Sequence, residues 1–343
     1  MVKVDSGNRA NISAKLERQK EGTVNAGWAF GAVRSNQDSR LIQKRYFRGN
    51  ISMSRVFSIL LLLVLVAGLV EAQSSSSAAS YFSRAKLRLD HGDLDGAISD
   101  FDLALVFNPR LADAYCNRGV ARYNKGDFAA AMKDFDSALE ISPRSAFAYN
   151  NRANARLATR DIEGALADYT QAIEIKPHFA EALYNRANIR QGKGDLKGAI
   201  ADFTAALKQY PKLIAAYNNR GNARYMTGDL DGAIADYTTG IHFSPRPGIN
   251  NDGRGYALLA FNYNGRGNAL VAQGKLDQAI ADYSAAIEIA PQFADAYANR
   301  GLALLRLGKT SEATWNFEQS LRLDPSLKAT LEGRISQVSA PRR

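Results

Sequence analysis

A stretch that occurs twice in succession points to the fold. Residues 146–179 are AFAYNNRANARLATRDIEGALADYTQAIEIKPHF, and residues 180–213 are AEALYNRANIRQGKGDLKGAIADFTAALKQYPKL. Both stretches are 34 residues long, with Ala at the twentieth position, an aromatic residue at the twenty-fourth and Pro at the thirty-second. Self-similarity at a fixed period of this length predicts stacked copies of one structural unit.

The same period extends over most of the chain. Pro recurs every 34 residues from Pro109 to Pro325, with a single interval of 46 between Pro245 and Pro291. This spacing predicts five units over 78–247, a 12-residue insertion at 248–259 and two further units over 260–327. Units 1 to 7 are 78–111, 112–145, 146–179, 180–213, 214–247, 260–293 and 294–327.

Each unit has the pattern of a helix, a turn and a second helix. Ala or Gly at the eighth position and Ala at the twentieth let two helices approach, and the aromatic ring at the twenty-fourth fills the space beside them. Gly marks the turn in six units, whereas Arg160 replaces it in unit 3, a predicted weak point. Pro ends the second helix.

This pattern resembles the tetratricopeptide repeat over 238 of the 343 residues. The resemblance implies an all-α fold, a right-handed superhelical solenoid of seven 34-residue helix-turn-helix units. A capping helix, Lys328 to Val338, follows within the C-terminal segment 328–343. The chain departs from the family where Tyr replaces Trp at the fourth position of six units and where Arg occupies the seventh position throughout.

Composition and charge bound the function. With 46% hydrophobic and 23% charged residues the chain is typical of a globular protein, and one Cys excludes a disulfide framework within it. The formal net charge is +10, but residues 1–52 alone hold 10 Lys and Arg against 4 Asp and Glu. The repeats are therefore nearly neutral for their size.

The N-terminal region carries an apolar run, FSILLLLVLVAGLV at 57–70. Its 14 residues match the h-region of a signal peptide, so 53–72 is predicted to be a signal peptide cleaved before Gln73 or a signal anchor. The polar, basic segment 1–52 is then a mis-called start or an extension, and 73–77 (QSSSS) is predicted to be a flexible linker. These features predict an extracytoplasmic protein that meets a membrane only through residues 56–70, if they are retained.

Charged residues recur in register with the repeats. Arg occupies the seventh position of all seven units, and Asp the twenty-third position of six. Because the match is one to one, we expect structural ion pairs rather than a phosphate-binding stripe, and nucleic acid is disfavoured. A second pairing, Arg at the eleventh with Asp at the sixteenth position, is expected in units 1 to 5. The predicted pairing residues of units 2 to 5 are Arg118, Arg152, Arg186, Arg220, Asp134, Asp168, Asp202 and Asp236.

Asparagine recurs where the family lines its concave groove. An amide donates and accepts a hydrogen bond, so it pairs with a peptide bond of any sequence. The ladder resembles that of the repeat domain of O-linked N-acetylglucosamine transferases, which implies peptide binding. The alternative is that these side chains cap or bridge neighbouring turns. The predicted groove residues are Asn117, Asn151, Asn154, Asn185, Asn188, Asn219, Asn222, Asn268, Asn299, Phe147 and Tyr184.

The sequence offers no pattern for catalysis. His91, His178 and His242 fall at unrelated positions of three units, and no His is placed beside Cys116. We therefore predict no cofactor, no metal and no enzymatic activity. The expected function is a protein- or peptide-binding scaffold or adaptor in a bacterial cell envelope. A self-associating architectural protein and a cytosolic repeat scaffold remain the alternatives.

Overall fold

The computed structural model describes residues 53–245 and 254–339. The predictions for 1–52, for 246–253 of the insertion and for the tail beyond 339 lie outside these residues. The chain divides into two units, 1–69 and 70–343, each of which is described by itself. Throughout the described residues the secondary structure is helical, with fifteen α-helices, one short 3₁₀ helix and no strand.

The helices follow the predicted units. The first helix of unit 1 lies in the C-terminal part of α1, α2 to α14 complete the seven units, and α15 follows them. Their bounds are α1 Met53–Asp90, α2 Leu94–Phe107, α3 Ala112–Asn124, α4 Phe128–Ile141, α5 Ala146–Ala158, α6 Ile162–Ile175, α7 Ala180–Gly192, α8 Leu196–Gln209, α9 Ile214–Thr227, α10 Leu230–Phe243, α11 Arg254–Ala272, α12 Leu276–Ile289, α13 Ala294–Arg306, α14 Thr310–Leu323 and α15 Lys328–Ser339, with the 3₁₀ helix at Pro325–Leu327.

Consecutive helices pack in pairs, which confirms the all-α repeat solenoid. In units 2 to 6, the second helix contacts both its own first helix and the first helix of the next unit. The core is built from the predicted small and aromatic positions, as in unit 4, where Ala187, Ala199 and Phe203 are each 0% exposed. A Cβ at Gly119 would lie 2.6 Å from the ring of Phe135, so only a small residue admits the ring there.

The turn between the paired helices needs a left-handed backbone. Six turn glycines have φ between 77° and 85°, and Arg160 occupies the equivalent place with φ 65°. A side chain in this region is strained, and Arg160, the predicted weak point of unit 3, is the described non-glycine residue that adopts it. In units 1 to 5 the second helix then begins at an Asp that caps its N-terminus, such as Asp195, which accepts from the Gly198 amide at 2.9 Å.

Residues 73–77, for which the sequence predicts a flexible linker, are helical and belong to α1. Ser77 Oγ donates to the carbonyl of Gln73 at 2.9 Å, one turn earlier in the same helix. Ser74 Oγ donates to the carbonyl of Phe107 at 3.0 Å, at the end of α2. Because these serine hydroxyls bond to backbone carbonyls, the serine run is accommodated within the helix.

The start of α1 is long and apolar enough to cross a membrane. The candidate segment Val56–Asp90 has a mean hydropathy of 2.3 in its most apolar window, and none of that window is buried. Length and composition alone qualify it, and a signal sequence meets the same criterion.

The other end of the repeats is covered as predicted. Leu331 of α15 is 3% exposed and packs against Ala298 and Leu302 of the last unit. A terminal helix of this kind shields the apolar face that a next repeat would otherwise cover. At the insertion, α11 begins at Arg254, so Tyr256 to Leu259 lengthen the next helix, as their sequence predicts.

Candidate protein-binding site

The predicted groove asparagines all lie on the first helices of their units. We call this set, Asn117, Asn151, Asn154, Asn185, Asn188, Asn219, Asn222, Asn268 and Asn299, the asparagine ladder. Eight of its members are partly exposed, and Asn299 is buried at 6% exposed. The ladder therefore occupies a partly solvent-accessible surface of successive first helices.

Members of the ladder join neighbouring repeats to one another. Asn185 donates from Nδ2 to Oδ1 of Asn154 at 3.2 Å, and Asn219 donates to Oδ1 of Asn188 at 2.8 Å. In both cases the sixth residue of one unit meets the ninth residue of the unit before it. Bonds of this type fix the spacing of the first helices along the array.

Three buried tyrosines on second helices donate hydrogen bonds to ladder asparagines. Tyr237 donates its hydroxyl proton to Oδ1 of Asn222 at 2.6 Å, Tyr283 donates to Asn268 at 2.8 Å, and Tyr169 donates to Asn154. Burial raises the pKa of all three tyrosines, so the hydroxyls keep their protons as donors. Sequence reasoning missed these bonds, although every unit with Tyr at the twenty-fourth position has Asn at the ninth.

Two further ladder residues are held within their own helix, and Asn299 is held by the preceding unit and by α15. Asn117 and Asn151 donate to carbonyls one turn earlier, of Asp113 at 2.7 Å and of Phe147 at 2.9 Å. Asn299 donates to Asn264 at 2.9 Å and accepts from Arg334 of α15 at 2.9 Å.

In six ladder asparagines, either the side-chain oxygen or the side-chain nitrogen has no hydrogen-bond partner among the described residues. The carbonyl oxygens Oδ1 of Asn117, Asn151, Asn185 and Asn219 accept no bond, and Nδ2 of Asn188 and Asn268 donates none. Because their other halves are held, these amides have few rotamers to lose when they bind a ligand. The ladder is thus a row of oriented acceptors and donors on a partly exposed surface.

The two predicted aromatic residues differ in their surroundings. Phe147 is 47% exposed, whereas Tyr184 packs against Phe203 at 5.8 Å and accepts from Asn219 at 3.3 Å. Phe261, at the same repeat position as Phe147, is also 47% exposed and contacts Phe293 edge-on at 5.1 Å. Exposed rings therefore flank the ladder in units 3 and 6.

The predicted arginine and aspartate residues are brought together within each unit. The salt bridges Arg118–Asp134, Arg152–Asp168, Arg186–Asp202 and Arg220–Asp236 span 2.5 to 2.8 Å, and the aspartate side chains are almost fully buried. Each arginine binds side-on through Nε and Nη2, the geometry that suits a carboxylate.

The second predicted pairing is present, but it is the longer of two contacts. Arginine at the eleventh position lies 3.5 to 3.7 Å from the aspartate at the sixteenth position in units 1, 3, 4 and 5. The same arginine also reaches the aspartate at the twenty-third position, as Arg190 reaches Asp202 at 2.8 Å. The sixteenth residue caps the second helix as well, as Asp195 does at the start of α8. One buried carboxylate thus accepts from two arginines.

The seventh-position arginines also connect successive units. Arg118 donates from Nη1 to Asp102, and Arg220 donates to Thr204 at 2.9 Å, both on the second helix of the preceding unit. The hydrogen bond with Asp168 raises the pKa of Arg152. These guanidinium groups are engaged within the fold, so they do not form an open phosphate-binding stripe.

The described residues contain neither a reactive thiol nor a group of side chains placed to hold a metal ion. Burial raises the pKa of the Cys116 thiol to about 12, so it is protonated at neutral pH and a poor nucleophile. No group of three or more His, Cys, Asp or Glu in these residues is placed to hold a metal ion.

Comparison with protein families decides the identity of the repeats. Tetratricopeptide repeat models match residues 112–145, 150–214, 187–245 and 294–327, and a further TPR repeat model matches 267–308. The chain belongs to the tetratricopeptide repeat (TPR) proteins. TPR arrays stack into extended surfaces that bind proteins, and the fold is typically a non-catalytic scaffold, so this chain is a protein-interaction scaffold.

Solved structures share the TPR fold. A TPR protein from Parabacteroides merdae is 21% identical, with a TM-score of 0.50, over 77% of this chain and 100% of that one. The pilF protein of Pseudomonas aeruginosa is 16% identical, with a TM-score of 0.52, over 64% of this chain and 94% of that one. At these identities the likeness concerns the fold alone. A comparison with curated proteins gives no match.

Proposed function

We propose that this TPR protein is a non-catalytic scaffold of the cell envelope that holds an extended polypeptide along the asparagine ladder. The observation that carries the proposal is the row of half-engaged amides. Asn117, Asn151, Asn185 and Asn219 each present one unpaired Oδ1, once per repeat, at the same position of four successive first helices.

The spacing of these acceptors suits an extended chain. Packed helices lie about 8–10 Å apart, and an extended peptide advances about 3.3 Å per residue, so one ladder step corresponds to about three peptide residues. Backbone amides of a bound peptide are then within reach of successive acceptors. Because the ladder amides bond to the peptide backbone, we expect them to bind an extended polypeptide with little dependence on its side chains.

Exposed rings supply the apolar part of the interaction. Phe147 and Phe261 are each 47% exposed and Tyr225 is 39% exposed, all on first helices. Aromatic side chains next to hydrogen-bonding groups are typical of residues that contribute strongly to binding. We expect them to select peptides with apolar residues at a few positions.

The test removes the acceptors of three successive ladder steps. Peptides selected from a random 12-residue display library on the wild-type protein serve as the probe. We expect the Asn151→Ala, Asn185→Ala, Asn219→Ala variant to bind them about tenfold more weakly or worse, because each lost hydrogen bond costs about 0.5–1.5 kcal/mol.

The control changes three exposed residues of second helices, Lys133→Gln, Gln171→Ala and Lys208→Gln, and we expect it to bind as the wild type does. Circular dichroism must show the same helical content in both variants. Undiminished peptide affinity in the ladder variant, with the fold intact, contradicts the proposal.

The envelope location rests on the apolar start of α1. The segment Val56–Asp90 is compatible with a signal or an anchor, and cleavage before Gln73 would leave residues 73–90 as the first helix of unit 1. N-terminal sequencing and fractionation of the protein from its host test this. A chain that starts at Gln73 outside the cytoplasm, or a membrane-bound chain that retains 53–72, supports the proposal. Intact Met1 in the cytosol contradicts it.

A further inference from the structure

The last repeat contains an arginine whose usual carboxylate partner is missing. In units 1 to 6 the seventh-position arginine forms a salt bridge with the aspartate at the twenty-third position. In unit 7 that position is Asn316. Arg300 donates from Nε to Asn316 Oδ1 at 2.9 Å and from Nη1 to Ser284 Oγ at 3.0 Å, and it forms no salt bridge within the described part of the chain.

This substitution leaves Arg300 with unused hydrogen-bonding capacity. A guanidinium has five N–H donors, and two are engaged, so three are left for a ligand. Nη2, which binds the aspartate in the other six units, has no partner here. Burial lowers the pKa of Arg300, whereas the hydrogen bond with Asp282 raises the pKa of Arg266 in the unit before it. Partial burial without a hydrogen-bonded carboxylate therefore disfavours the charge of Arg300.

A cavity opens beside Arg300. It has a volume of about 490 Å³ and lies between α12, α13 and α14, with Arg300, Ser284, Leu304, Ser311 and Trp315 among its lining residues. Trp315 is 51% exposed and packs against Tyr297 at 6.1 Å. None of the ladder asparagines lines this cavity. The cavity is thus lined by both the unpaired guanidinium of Arg300 and the exposed indole of Trp315.

Glu312 also lines the cavity, and its charge favours the charged form of Arg300. The donors of Arg300 bond to Asn316 and Ser284 and not to Glu312, so Glu312 offsets the cation without occupying its donors. A negative lining residue disfavours a doubly charged phosphate more than a singly charged carboxylate. The charge balance therefore points to a carboxylate as the ligand.

We propose that this cavity is a second binding site, which takes a Glu or Asp side chain of a partner protein next to an apolar residue. The partner's carboxylate accepts from Nη2 of Arg300, the atom that in Arg266 of unit 6 donates to Asp282, and the apolar neighbour packs on Trp315. The site goes beyond the proposed function, because it lies among α12, α13 and α14 and contains none of the ladder asparagines.

The test restores the missing aspartate. Trp315 is one of two tryptophans in the sequence, so the full-length chain with Trp28→Phe reports on the cavity by fluorescence. The probes are acetyl-Ala-Glu-Leu-Ala-amide and its Gln counterpart. We expect the Glu peptide to bind about tenfold more tightly than the Gln peptide, as a charge-assisted bond requires. Asn316→Asp should abolish this preference, because the new carboxylate occupies Arg300.

Asn316→Asp recreates an ion pair found in six other units, so its unfolding temperature should not fall. Glu312→Gln should tighten binding of the Glu peptide, and the ladder variant Asn151→Ala, Asn185→Ala, Asn219→Ala should bind it as the wild type does, even if the ladder proposal fails. Equal affinity for both peptides, or a preference that survives Asn316→Asp, overturns the site. Inorganic phosphate that competes as well as the Glu peptide overturns the assignment to carboxylate.

Discussion

Units 1 to 5 and units 6 and 7 form the same helical pair with different polar groups. In the first region each buried aspartate accepts from two arginines, as Asp202 does from Arg186 and Arg190, both at 2.8 Å. In the second region the eleventh position is Leu270 or Leu304, both buried, and Asp282 accepts from Arg266 alone, at 2.7 Å.

The N-terminus of the second helix also differs between the two regions. Asp229 of unit 5 accepts from the Gly232 amide at 3.0 Å, whereas Lys275 and Lys309 occupy the capping position of units 6 and 7 without a side-chain hydrogen bond. One cation and one anion are thus lost from the same two units. Units of both types keep the small residues at positions eight and twenty and the ring at twenty-four. Those apolar positions, and not the ion pairs, therefore specify the helical pair.

The largest expected effect comes from removing the shared aspartate of the first region. Asp202→Ala leaves two arginines facing each other, and we expect a loss of about 3–5 kcal/mol in the free energy of unfolding. Asp282→Ala leaves only Arg266 unpaired, so its loss should be clearly smaller. Urea unfolding followed by circular dichroism measures both, and equal losses would mean that the second arginine does not matter.

The border between the regions should be sensitive to size. A Cβ at Gly265 would lie 2.6 Å from the ring of Tyr237, and Asn218 donates to Asn262 across this junction at 3.3 Å. We expect Gly265→Ala to destabilise the protein by about 1–3 kcal/mol through overpacking.

Gly192→Ala is the matched control for the border, since nothing lies within 4 Å of a Cβ there. It should raise the stability slightly, because Ala favours a helix over Gly by about 1 kcal/mol. A neutral Gly265→Ala would show that the helices at the border have room to separate.

The second helix of unit 6 lacks an N-terminal side-chain cap, so adding one should increase the stability of the protein. Lys275→Asp should add the hydrogen bond that Asp229 makes in unit 5 and stabilise the protein by about 1 kcal/mol. Lys275→Ala separates the cap from the simple loss of a positive charge at the helix N-terminus. If both variants shift the midpoint of thermal unfolding equally, the capping bond contributes nothing.

The smallest effect is expected at the turn of unit 3. Arg160 has φ 65°, where the other six units have Gly. Arg160→Gly should relieve backbone strain, which we expect to raise stability by about 0.5–1 kcal/mol after the entropy of the unfolded chain is counted. Arg160→Ala, which keeps the strain, should not show this gain in a urea titration.

The sequence by itself determined the repeat, its boundaries and the core. Period, small residues, rings, turn glycines and Pro are local properties that repeat seven times, so each unit confirms the others. The partners of Arg118 and its equivalents followed from the one-to-one match with aspartate. The asparagines were located on the first helices by position alone.

Only the tertiary structure decided which polar atoms are engaged. Asn154 bonds to Tyr169 and Asn185, two residues that lie 15 and 31 positions away. Arg190 lies 3.7 Å from Asp195 but only 2.8 Å from Asp202, although Asp195 is closer along the chain. Such choices depend on how the helices of one unit cross and on how units stack, because a side chain binds what lies within about 3 Å in space. Spacing along the chain selects the candidates, and the packing of helices selects among them.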